Sequence, residues 1–553
     1  MIVNKKERNA KMKVSKKLTK AIAVLSAACL ISTAVAGCGK GDKKEVASNN
    51  DVNTFSFWGV LDANVPGSVT DYGDLMLYQE MEKRTGIKIE FQHPISGSTG
   101  QEAFLTMISG GDLPDIMEYT WSTYNGGAQA AIDDGLIVEL NDYLKDYAPN
   151  YYDYMEGEKG KANDYLYKYQ ATTSEGNYYG FNRLNIGEAR EFNTFYIRAD
   201  LLKKWGMEVP VTIDEWTAVF AKAKSEGIET PFTASNFFTA NKGVVISFHN
   251  AFGAVAGFYL DDGKVKFGPF EKGYKEYLAQ MAEWVKAGYI DTGFVTNKND
   301  DVVGKMANGK AIASIGGIGG SVGKVIPACL AVDPSIEIVG CPYPVANRGD
   351  MPTHQGATTE VTGIANAIST TCPNIEKAVE WCDFVYSEEG FLLQTFGIEG
   401  DTYEVVEKDG EKHYVYTDKI TNPDVSGYAS VDEALYAYFL PANHPGLDQH
   451  ADYLDGYYPY DVQDEALREI NKNMDEIKKT VIPPLNYTEE EAEKKTDIEM
   501  ELYDAFEVAI TDIMLGKASI DTFDKAVENL KKDGYNEYLE IMQNAYDRYM
   551  SRF

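Results

Sequence analysis

The chain has 553 residues, which is too long for one ordinary hydrophobic core and predicts two or three domains. Its formal charge is −33, and because residues 1–37 carry eight Lys and Arg and one Glu, the remainder has a formal charge of −40. Such an acidic body excludes binding to nucleic acid or to an anionic membrane surface through its own field. The aromatic content of 12% excludes a disordered chain.

The N-terminal segment has the residue order of a secretory signal. Basic residues precede the apolar or small run from Ala21 to Ala36, and Gly37-Cys38 follows. The small residues ahead of Cys38 resemble a bacterial lipobox, in which the thiol receives a diacylglycerol and becomes the mature N-terminus. The alternative is an uncleaved anchor helix, although the run is shorter than the roughly 20 residues that span a membrane. Both interpretations put the rest of the chain outside the cytoplasm, close to a membrane.

A β-α-β-α-β pattern follows a small, polar tether over residues 38–53. The three strands are predicted at Thr54 to Trp58, Ile87 to Phe91 and Asp115 to Tyr119, with helical patterns between them. This order predicts a parallel sheet with right-handed crossovers.

Aromatic residues follow or end two of these strands. Ligands of such sheets bind beyond the carboxyl ends of the strands, so we expect Trp58 and Trp121 at the rim of a ligand crevice. Tyr124 and Asn125 share the loop after Trp121 and are predicted as further ligand contacts. Ten tyrosines between residues 143 and 179 fit either a sugar-stacking surface or amphipathic packing, and packing is the commoner case.

The remaining pattern predicts a second α/β unit over about residues 190–350. Strands are expected at Phe192 to Arg198 and Ala311 to Ile315, a hairpin around Asp261-Asp262-Gly263, and a capping box from Thr212 to Glu215. A further strand over residues 363–369, a second hairpin over residues 407–411 and mostly helical structure beyond residue 430 follow.

Cysteine and catalytic motifs are sparse. Cys329, Cys341, Cys372 and Cys382 remain after Cys38, and without a C-x-x-C spacing they are expected to be free and buried, with a Cys329–Cys341 disulfide left open. Residues 319–323 fit G-x-S-x-G, but they lie inside a glycine run where such matches arise by chance.

Several stretches in order resemble the extracellular solute-binding proteins of bacterial ABC importers, in the branch of large Gram-positive lipoproteins that serve carbohydrate uptake. The similar segments are Ser109 to Ile116, Ile197 to Leu202, Val209 to Trp216, Asn308 to Ala311, Phe384 to Gly390 and Gly397 to Tyr403.

This resemblance implies an α/β fold of two lobes, like the type II periplasmic binding proteins, with hinge crossings and a helical C-terminal extension. The expected boundaries are the signal at 1–37, the tether at 38–53, lobe 1 at 54–180 plus about 356–425, and lobe 2 at 181–355 plus about 426–553. The resemblance also implies that the lobes close over the ligand and that the closed form docks on a permease.

Further ligand contacts are expected on the predicted cleft side. Arg183 is expected to bond sugar hydroxyls or a uronate, or to form a hinge salt bridge. Gly317 would allow a sugar to approach the backbone, and Glu360 and Glu399 would accept hydrogen bonds from hydroxyls. No Asp- and Asn-rich calcium loop is found, so neither a metal nor a cofactor is predicted.

The expected function is therefore non-enzymatic. The protein would be a monomer on the extracellular face of the cell membrane of a Gram-positive-type bacterium, held by lipid on Cys38. It would capture an oligosaccharide and pass it to an ABC permease. A surface glycan hydrolase or lyase, and a peptide-binding protein of the same fold, stay open as alternatives.

Overall fold

The computed structural model describes residues 52–62, 64–94, 100–235, 248–354, 356–408, 410–448, 450–499 and 504–553. The predicted signal, Cys38 and nearly all of the tether lie outside these residues. Within them, every helix is too short or too polar to cross a bilayer.

The strands of the described residues form two main sheets and two hairpins. They are β1 (Thr54–Trp58), β2 (Lys88–Gln92), β3 (Ile116–Thr120), β4 (Phe181–Asn185), β5 (Asn193–Arg198), β6 (Phe258–Asp261), β7 (Lys264–Phe267), β8 (Ala313–Gly317), β9 (Ile338–Cys341), β10 (Val361–Ile368), β11 (Tyr403–Lys408), β12 (Glu411–Tyr416) and β13 (Gly446–Asp448).

The helices of the described residues cover both main sheets and form most of the C-terminal part. They are α1 (Met76–Thr85), α2 (Gly100–Gly110), α3 (Gly127–Asp133), α4 (Asn141–Tyr147), α5 (Pro149–Met155), α6 (Glu158–Ala162), α7 (Leu166–Ala171), α8 (Ala199–Trp205), α9 (Ile213–Ser225), α10 (Lys272–Lys286), α11 (Asn299–Ala307), α12 (Gly323–Val332), α13 (Ile375–Asp383), α14 (Glu388–Thr395), α15 (Asp418–Thr421), α16 (Pro423–Ser426), α17 (Val431–Tyr438), α18 (Ala451–Tyr457), α19 (Asp461–Ile470), α20 (Met474–Ile477), α21 (Glu489–Ile498), α22 (Asp504–Met514), α23 (Phe523–Leu530) and α24 (Asn536–Met550).

The first lobe is built on a six-stranded mixed sheet in the order β13-β4-β10-β3-β1-β2. Strand β1 is parallel to both β2 and β3, which confirms the β-α-β-α-β prediction. Strand β10 then runs antiparallel to β3 and β4, and β13 is parallel to β4. The late strands β10 and β13 therefore complete a sheet that the first 190 residues begin.

Successive side chains of a strand point to opposite faces of the sheet, and on β1 a hydrophobic cluster covers each face. Phe55 and Phe57 of β1 face a large core that includes Trp381 of α13, with the Phe57 and Trp381 ring centroids 5.9 Å apart. Trp58 faces the other way, onto a smaller cluster under α2, where its ring centroid is 5.5 Å from that of Phe104.

The second lobe is built on the antiparallel sheet β8-β5-β9. Its core is aromatic, with Phe195 of β5 packed on Trp216 of α9 and on Phe248. The predicted capping box opens α9, since Thr212 and Glu215 exchange side-chain to backbone hydrogen bonds. The predicted hairpin is confirmed as β6–β7, and the one expected around residues 407–411 as β11–β12.

The chain crosses between the two sheets at least twice in the described residues. It passes from β4 to β5 through residues 186–192, and from β9 back to β10 through residues 342–360. Strands β4 and β13 pair within the six-stranded sheet, which places residues 181–185 and 446–448 with the first lobe, although the sequence assigns both to the second.

The last helix, α24, contacts both lobes. Gln543 accepts a 2.8 Å hydrogen bond from the Val265 amide of the β6–β7 hairpin. At its other end, Tyr549 accepts a 3.4 Å hydrogen bond from Gln170 of α7 on the first-lobe side, and Arg552, just after α24, donates a 3.0 Å hydrogen bond to the Tyr169 carbonyl of the same helix. The C-terminal part therefore contacts both lobes and does not belong to one lobe alone.

The cysteine prediction is confirmed for the described residues. Cys329, Cys341, Cys372 and Cys382 are all free and buried, so the Cys329–Cys341 pairing that the sequence left open is not formed. Burial raises the pKa of each of these thiols, which keeps them protonated at neutral pH.

Candidate functional site

A large cavity of the described residues lies between the two lobes. Its volume is about 920 Å³, near the upper end of the range for small-molecule sites. The segments after β1 and β3 form its first-lobe wall, so it lies beyond the carboxyl ends of parallel strands, where the sequence predicted a ligand crevice. We call it the main cavity.

The opposite wall of the main cavity comes from the β6–β7 hairpin and the C-terminal helices. The lining residues are Val60, Leu61, Asp62, Gly100, Gln101, Glu118, Tyr119, Thr120, Thr123, Gly257, Phe258, Phe267, Ile364, Asn443, His444, Glu499, Tyr535 and Tyr538.

Three ionisable side chains form the polar floor of the main cavity. His444 Nδ1 lies 3.1 and 3.0 Å from the two carboxylate oxygens of Glu118. Its Nε2 lies 3.6 Å from Asp62 Oδ2, which is beyond ordinary hydrogen-bond distance. The imidazole of His444 is therefore held between a carboxylate of strand β3 and one of the loop after β1.

These contacts decide the charge on His444. Burial alone would lower its pKa, but the charge of Glu118 and the interactions with Asp62 outweigh burial and raise the pKa to about 10. Burial would likewise raise the pKa of Asp62, yet its interactions with His444 and the Asn64 amide hold it below the ordinary value. At neutral pH the floor therefore carries one imidazolium beside ionised Asp62.

Local structure positions Asp62 through the chain after β1. The Asp62 amide donates a 2.9 Å hydrogen bond to the Tyr72 hydroxyl, which in turn donates to the Val60 carbonyl at 2.9 Å. Asp62 Oδ1 accepts from the Asn64 amide at 2.7 Å, which is an Asx turn. These bonds hold the carboxylate at the strand end.

A smaller cavity of about 200 Å³ adjoins the main one, and Asn443 lines both. We call it the side chamber. Aromatic rings and the glycine turn after β8 dominate its walls. The lining residues are Asn64, Arg183, Phe192, Gly317, Ile318, Gly319, Gly320, Tyr436, Ala442, Asn443, Asp448, Tyr453, Leu454, Tyr457 and Tyr458.

Several polar groups of the side chamber are paired within the protein, whereas the buried Arg183 Nε has no hydrogen-bond partner among the described residues. Arg183 of β4 forms an ion pair with Asp448 of the neighbouring strand β13. Its Nη1 lies 3.5 Å from Asn443 Oδ1, and the Asn443 amide nitrogen lies 3.4 Å from Asp62 Oδ2. Asn443 thus links the side chamber to the floor of the main cavity.

Aromatic rings supply the apolar part of the main cavity. Phe258 and Phe267 face each other across the hairpin, and the ring of Tyr535 packs on Phe267 with centroids 4.5 Å apart. Tyr538 packs on Phe258 at 4.8 Å, and its hydroxyl donates to Glu499. Rings beside carboxylates suit a ligand with both an apolar face and many hydroxyls.

The structure does not bring the two predicted tryptophans to either cavity. Trp58 is 4% exposed and Trp121 is 0% exposed. Trp58 packs under α2, and Trp121 donates a 3.1 Å hydrogen bond to the Ala365 carbonyl. The reason is geometric: the Trp58 side chain stands perpendicular to the sheet and is covered by a helix, whereas the crevice begins two residues later.

Of the other predicted contacts, Arg183 and Gly317 lie together in the side chamber. Arg183 makes the salt bridge that the sequence offered as one of its two roles. Tyr124 donates to Asp134 at 2.8 Å, and Asn125 beside it is exposed, so neither lines a cavity, although Thr123 does.

The two predicted glutamates also lie away from both cavities. Glu360 accepts a 2.7 Å hydrogen bond from Gln170. Glu399 is exposed at an outer groove of the first lobe with Arg84 and Tyr403. The tyrosines between residues 143 and 179 do not line either cavity in the described part of the chain, and Tyr151, Tyr154, Tyr167, Tyr178 and Tyr179 are buried, which favours packing.

Sequence reasoning missed Asp62, Glu118, Asn443 and His444. Asp62 could have been predicted, because it lies four residues after Trp58, in the loop beyond the carboxyl end of β1 where ligands of such sheets bind. Asn443 and His444 immediately precede β13, more than 320 residues after Glu118, and no local pattern marks them.

The G-x-S-x-G match does not form a nucleophile site. Ser321 is buried and donates a 2.9 Å hydrogen bond to Asn299 instead of to a histidine. Across the described ranges, no three His, Cys, Asp or Glu side chains are grouped in a way that would hold a metal ion.

Two lobes joined by crossing segments, with a large cavity between them, define a binding protein of the two-lobe class. A family model for bacterial extracellular solute-binding proteins matches residues 67–390, more than half of the chain. The chain belongs to this family, as its sequence motifs indicated.

One curated relative is similar in sequence. The fructooligosaccharide ABC transporter substrate-binding protein FusA of Streptococcus pneumoniae serotype 4 is 28% identical over 257 residues. That match spans 42% of this chain and 44% of FusA, less than half of the relative's length.

Solved structures show the same fold over almost the whole chain. S. pneumoniae FusA in complex with kestose matches with a TM-score of 0.70 and 21% identity, covering 90% of this chain and 100% of FusA. The alginate-binding protein AlgQ2 without calcium ion matches with a TM-score of 0.72 and 21% identity, covering 89% and 98%.

Proposed function

We propose that this protein captures an oligosaccharide in the main cavity and delivers it unchanged to an ABC transporter permease. The main cavity carries the proposal, because it lies between two lobes, at strand ends, and combines aromatic rings with carboxylates. Family membership and the names of the relatives support the same class of ligand.

The mechanism requires only differential binding. Hydroxyls of the ligand would donate to Asp62 and Glu118 on the first lobe, while its apolar faces would contact Phe258 and Tyr535 on the second. A ligand held by both lobes binds the closed form better than the open form and so shifts the population toward closure. The side chamber would take one terminal unit next to Asn443.

Calorimetry of the mature chain against a panel of oligosaccharides tests the proposal. We expect saturable binding to at least one member, with the bound sugar recovered intact by chromatography. Release of shorter products with turnover would instead establish the glycan hydrolase or lyase. Binding to peptides alone, with no response to any sugar, would establish the peptide-binding alternative.

We further propose that Cys38 carries the lipid that holds the protein at the extracellular face of the membrane. The basic, apolar and small-residue order before Cys38 supports this proposal. Cells grown with labelled palmitate should label the wild-type protein, and Cys38→Ser should remove the label and release the protein into the medium. Equal labelling of both proteins would contradict it.

A further inference from the structure

We propose that the cleft selects electrically neutral oligosaccharides and rejects carboxylated ones, an inference that rests on the proposed function. It follows from how the charges of the main cavity and the side chamber are paired.

The described lining of the main cavity offers an acidic ligand no cation that lacks a carboxylate beside it. Among its described lining residues, His444 is the sole basic side chain. Its Nδ1 is occupied by Glu118 at 3.0 Å, and its Nε2 faces Asp62 at 3.6 Å. Although Nε2 makes no hydrogen bond to a described residue, the charge of His444 is already balanced by two of the protein's own carboxylates, with which a ligand carboxylate would have to share it.

Basic side chains are also scarce in the described lining of the side chamber. Arg183 is its sole basic residue within the described lining, and Asp448 of the adjacent strand already forms its ion pair. The side chain is held on its other side by Asn443, 3.5 Å from Nη1. One nitrogen of the Arg183 guanidinium is therefore already paired with an acid, while its Nε has no hydrogen-bond partner in the described part of the chain. A ligand carboxylate would have to share this arginine with Asp448.

Carboxylates outnumber cations around the combined cleft. Asp62, Glu118 and Glu499 line the main cavity and Asp448 the side chamber, against His444 and Arg183. Lys495, outside both linings, lies 2.8 Å from Glu499 and offsets one of these charges. A uronate entering the cleft would lose hydration without gaining a cation and would be repelled by the remaining acid.

The same groups favour a neutral ligand. Each carboxylate oxygen of Glu118 accepts from His444 and retains a second lone pair that a sugar hydroxyl can use. A hydrogen bond to an ionised acceptor is stronger than one between neutral groups. The carboxylates that exclude acids are thus acceptors for hydroxyls.

Matched pairs of sugars on the wild-type protein test the selection. Each pair shares a backbone and differs in charge: methyl-esterified against free oligogalacturonate, unsubstituted against glucuronate-bearing xylo-oligosaccharide, and neutral against sialylated milk oligosaccharide. For every backbone that binds, we expect the acidic member to bind at least about tenfold more weakly, the scale of one lost charge-assisted contact.

The outcomes separate this inference from the proposed function. An acidic member that binds as tightly as its neutral partner, or more tightly, overturns the charge selection and leaves oligosaccharide capture standing. Failure of every sugar in the panel overturns the proposed function, and the charge selection falls with it.

An added cation tests whether the selection is local to the cleft. Val60 lines the main cavity and is 41% exposed, so Val60→Lys should place a free ammonium there. We expect Val60→Lys to increase the affinity for the acidic sugar relative to that for its neutral partner. The uncharged Val60→Met should leave the ratio of the two affinities unchanged.

Leu105→Lys separates the cleft from the overall charge. Leu105 is 50% exposed on α2 and does not line either cavity. Both Lys variants change the net charge equally, but the Leu105→Lys ammonium lies outside the cleft. We therefore expect Leu105→Lys to leave the ratio of acidic to neutral sugar affinities as in wild type. An equal shift in both would attribute the selection to the acidic body and overturn the role of the cleft.

Discussion

At the scale of single residues, the floor of the main cavity depends on the imidazole of His444 between Glu118 and Asp62. Asp62 lies in the loop after β1, Glu118 lies in strand β3, and His444 lies in the segment before β13. The proposed ligand contacts and the local electrostatics are therefore properties of the same three side chains.

Asp62→Asn should weaken oligosaccharide binding. The substitution keeps the shape of the side chain but removes a charged acceptor, so we expect a loss of about 1.5–3 kcal/mol in binding free energy. Calorimetry measures the change. Glu399→Gln, an acid removed from the exposed outer groove, is the matched control and should bind as wild type does. Equal affinities for Asp62→Asn and wild type would remove Asp62 from the site.

The raised pKa of His444 predicts a pH dependence of stability. A group whose pKa rises on folding, here from 6.5 to about 10, contributes fully below the unfolded value and loses that contribution as pH rises through the folded value. The difference in unfolding free energy between wild type and His444→Gln should therefore shrink as pH increases from about 6.5 to 10.

Denaturant titrations at several pH values measure this difference. His413→Gln, which removes a histidine paired with Asp452 away from both cavities, serves as the control. A difference for His444→Gln that stays constant, or grows, across the same range would contradict the assigned protonation of His444.

At the scale of elements, the turn after β8 brings the second lobe against α18. The backbone at Gly319 lies directly against the ring of Tyr457, where an added Cβ would overlap the ring. The Tyr457 hydroxyl in turn donates a 2.6 Å hydrogen bond to the buried Asp432 of α17. The reason for glycine here is this close approach and not the backbone conformation, because Gly319 does not have a positive φ.

Gly319→Ala should destabilise the protein and reduce the side chamber. Because Tyr457 must move or strain, we expect a loss of about 1–3 kcal/mol in the free energy of unfolding, with weaker ligand binding. The neighbouring Gly320→Ala is the matched control, since a Cβ there meets no atom within 4 Å. Thermal and chemical unfolding of both variants compares them, and equal losses would show that the turn itself is the cause.

At the scale of the whole molecule, the proposed function depends on two lobes that the chain joins at least twice in the described residues. The crossings between the sheets would serve as hinges during closure. Gln543 of α24 bonds the hairpin of one lobe, and Arg552, just after α24, bonds the Tyr169 carbonyl of the other. Closure must therefore preserve or rearrange these C-terminal contacts.

A bound oligosaccharide should make the molecule more compact. Since both lobes would contact the ligand, its binding free energy favours the closed form. Small-angle X-ray scattering should show a smaller radius of gyration at saturating sugar than without sugar. At the same sugar concentration, the radius of gyration of Asp62→Asn should decrease less. Calorimetric saturation with an unchanged radius of gyration would show that binding does not require closure.

The amino-acid sequence by itself determined much of the local structure and the family. Period-two and helical patterns located β1, β2, β3 and both hairpins, because alternation and turn chemistry act over a few residues. The capping box at Thr212 and the free, buried cysteines were read in the same way. The ordered motifs indicated the solute-binding family that matches residues 67–390.

Only the tertiary structure decided which residues face the cavities. Trp58 stands at a strand end, as predicted, but the direction of its side chain depends on α2, which covers it. Asn443 and His444 reach Asp62 and Glu118 because β13 joins a sheet whose first strands lie almost 400 residues earlier. Local patterns carry no information about such pairings, since strand order is decided by which surfaces the folded chain buries together.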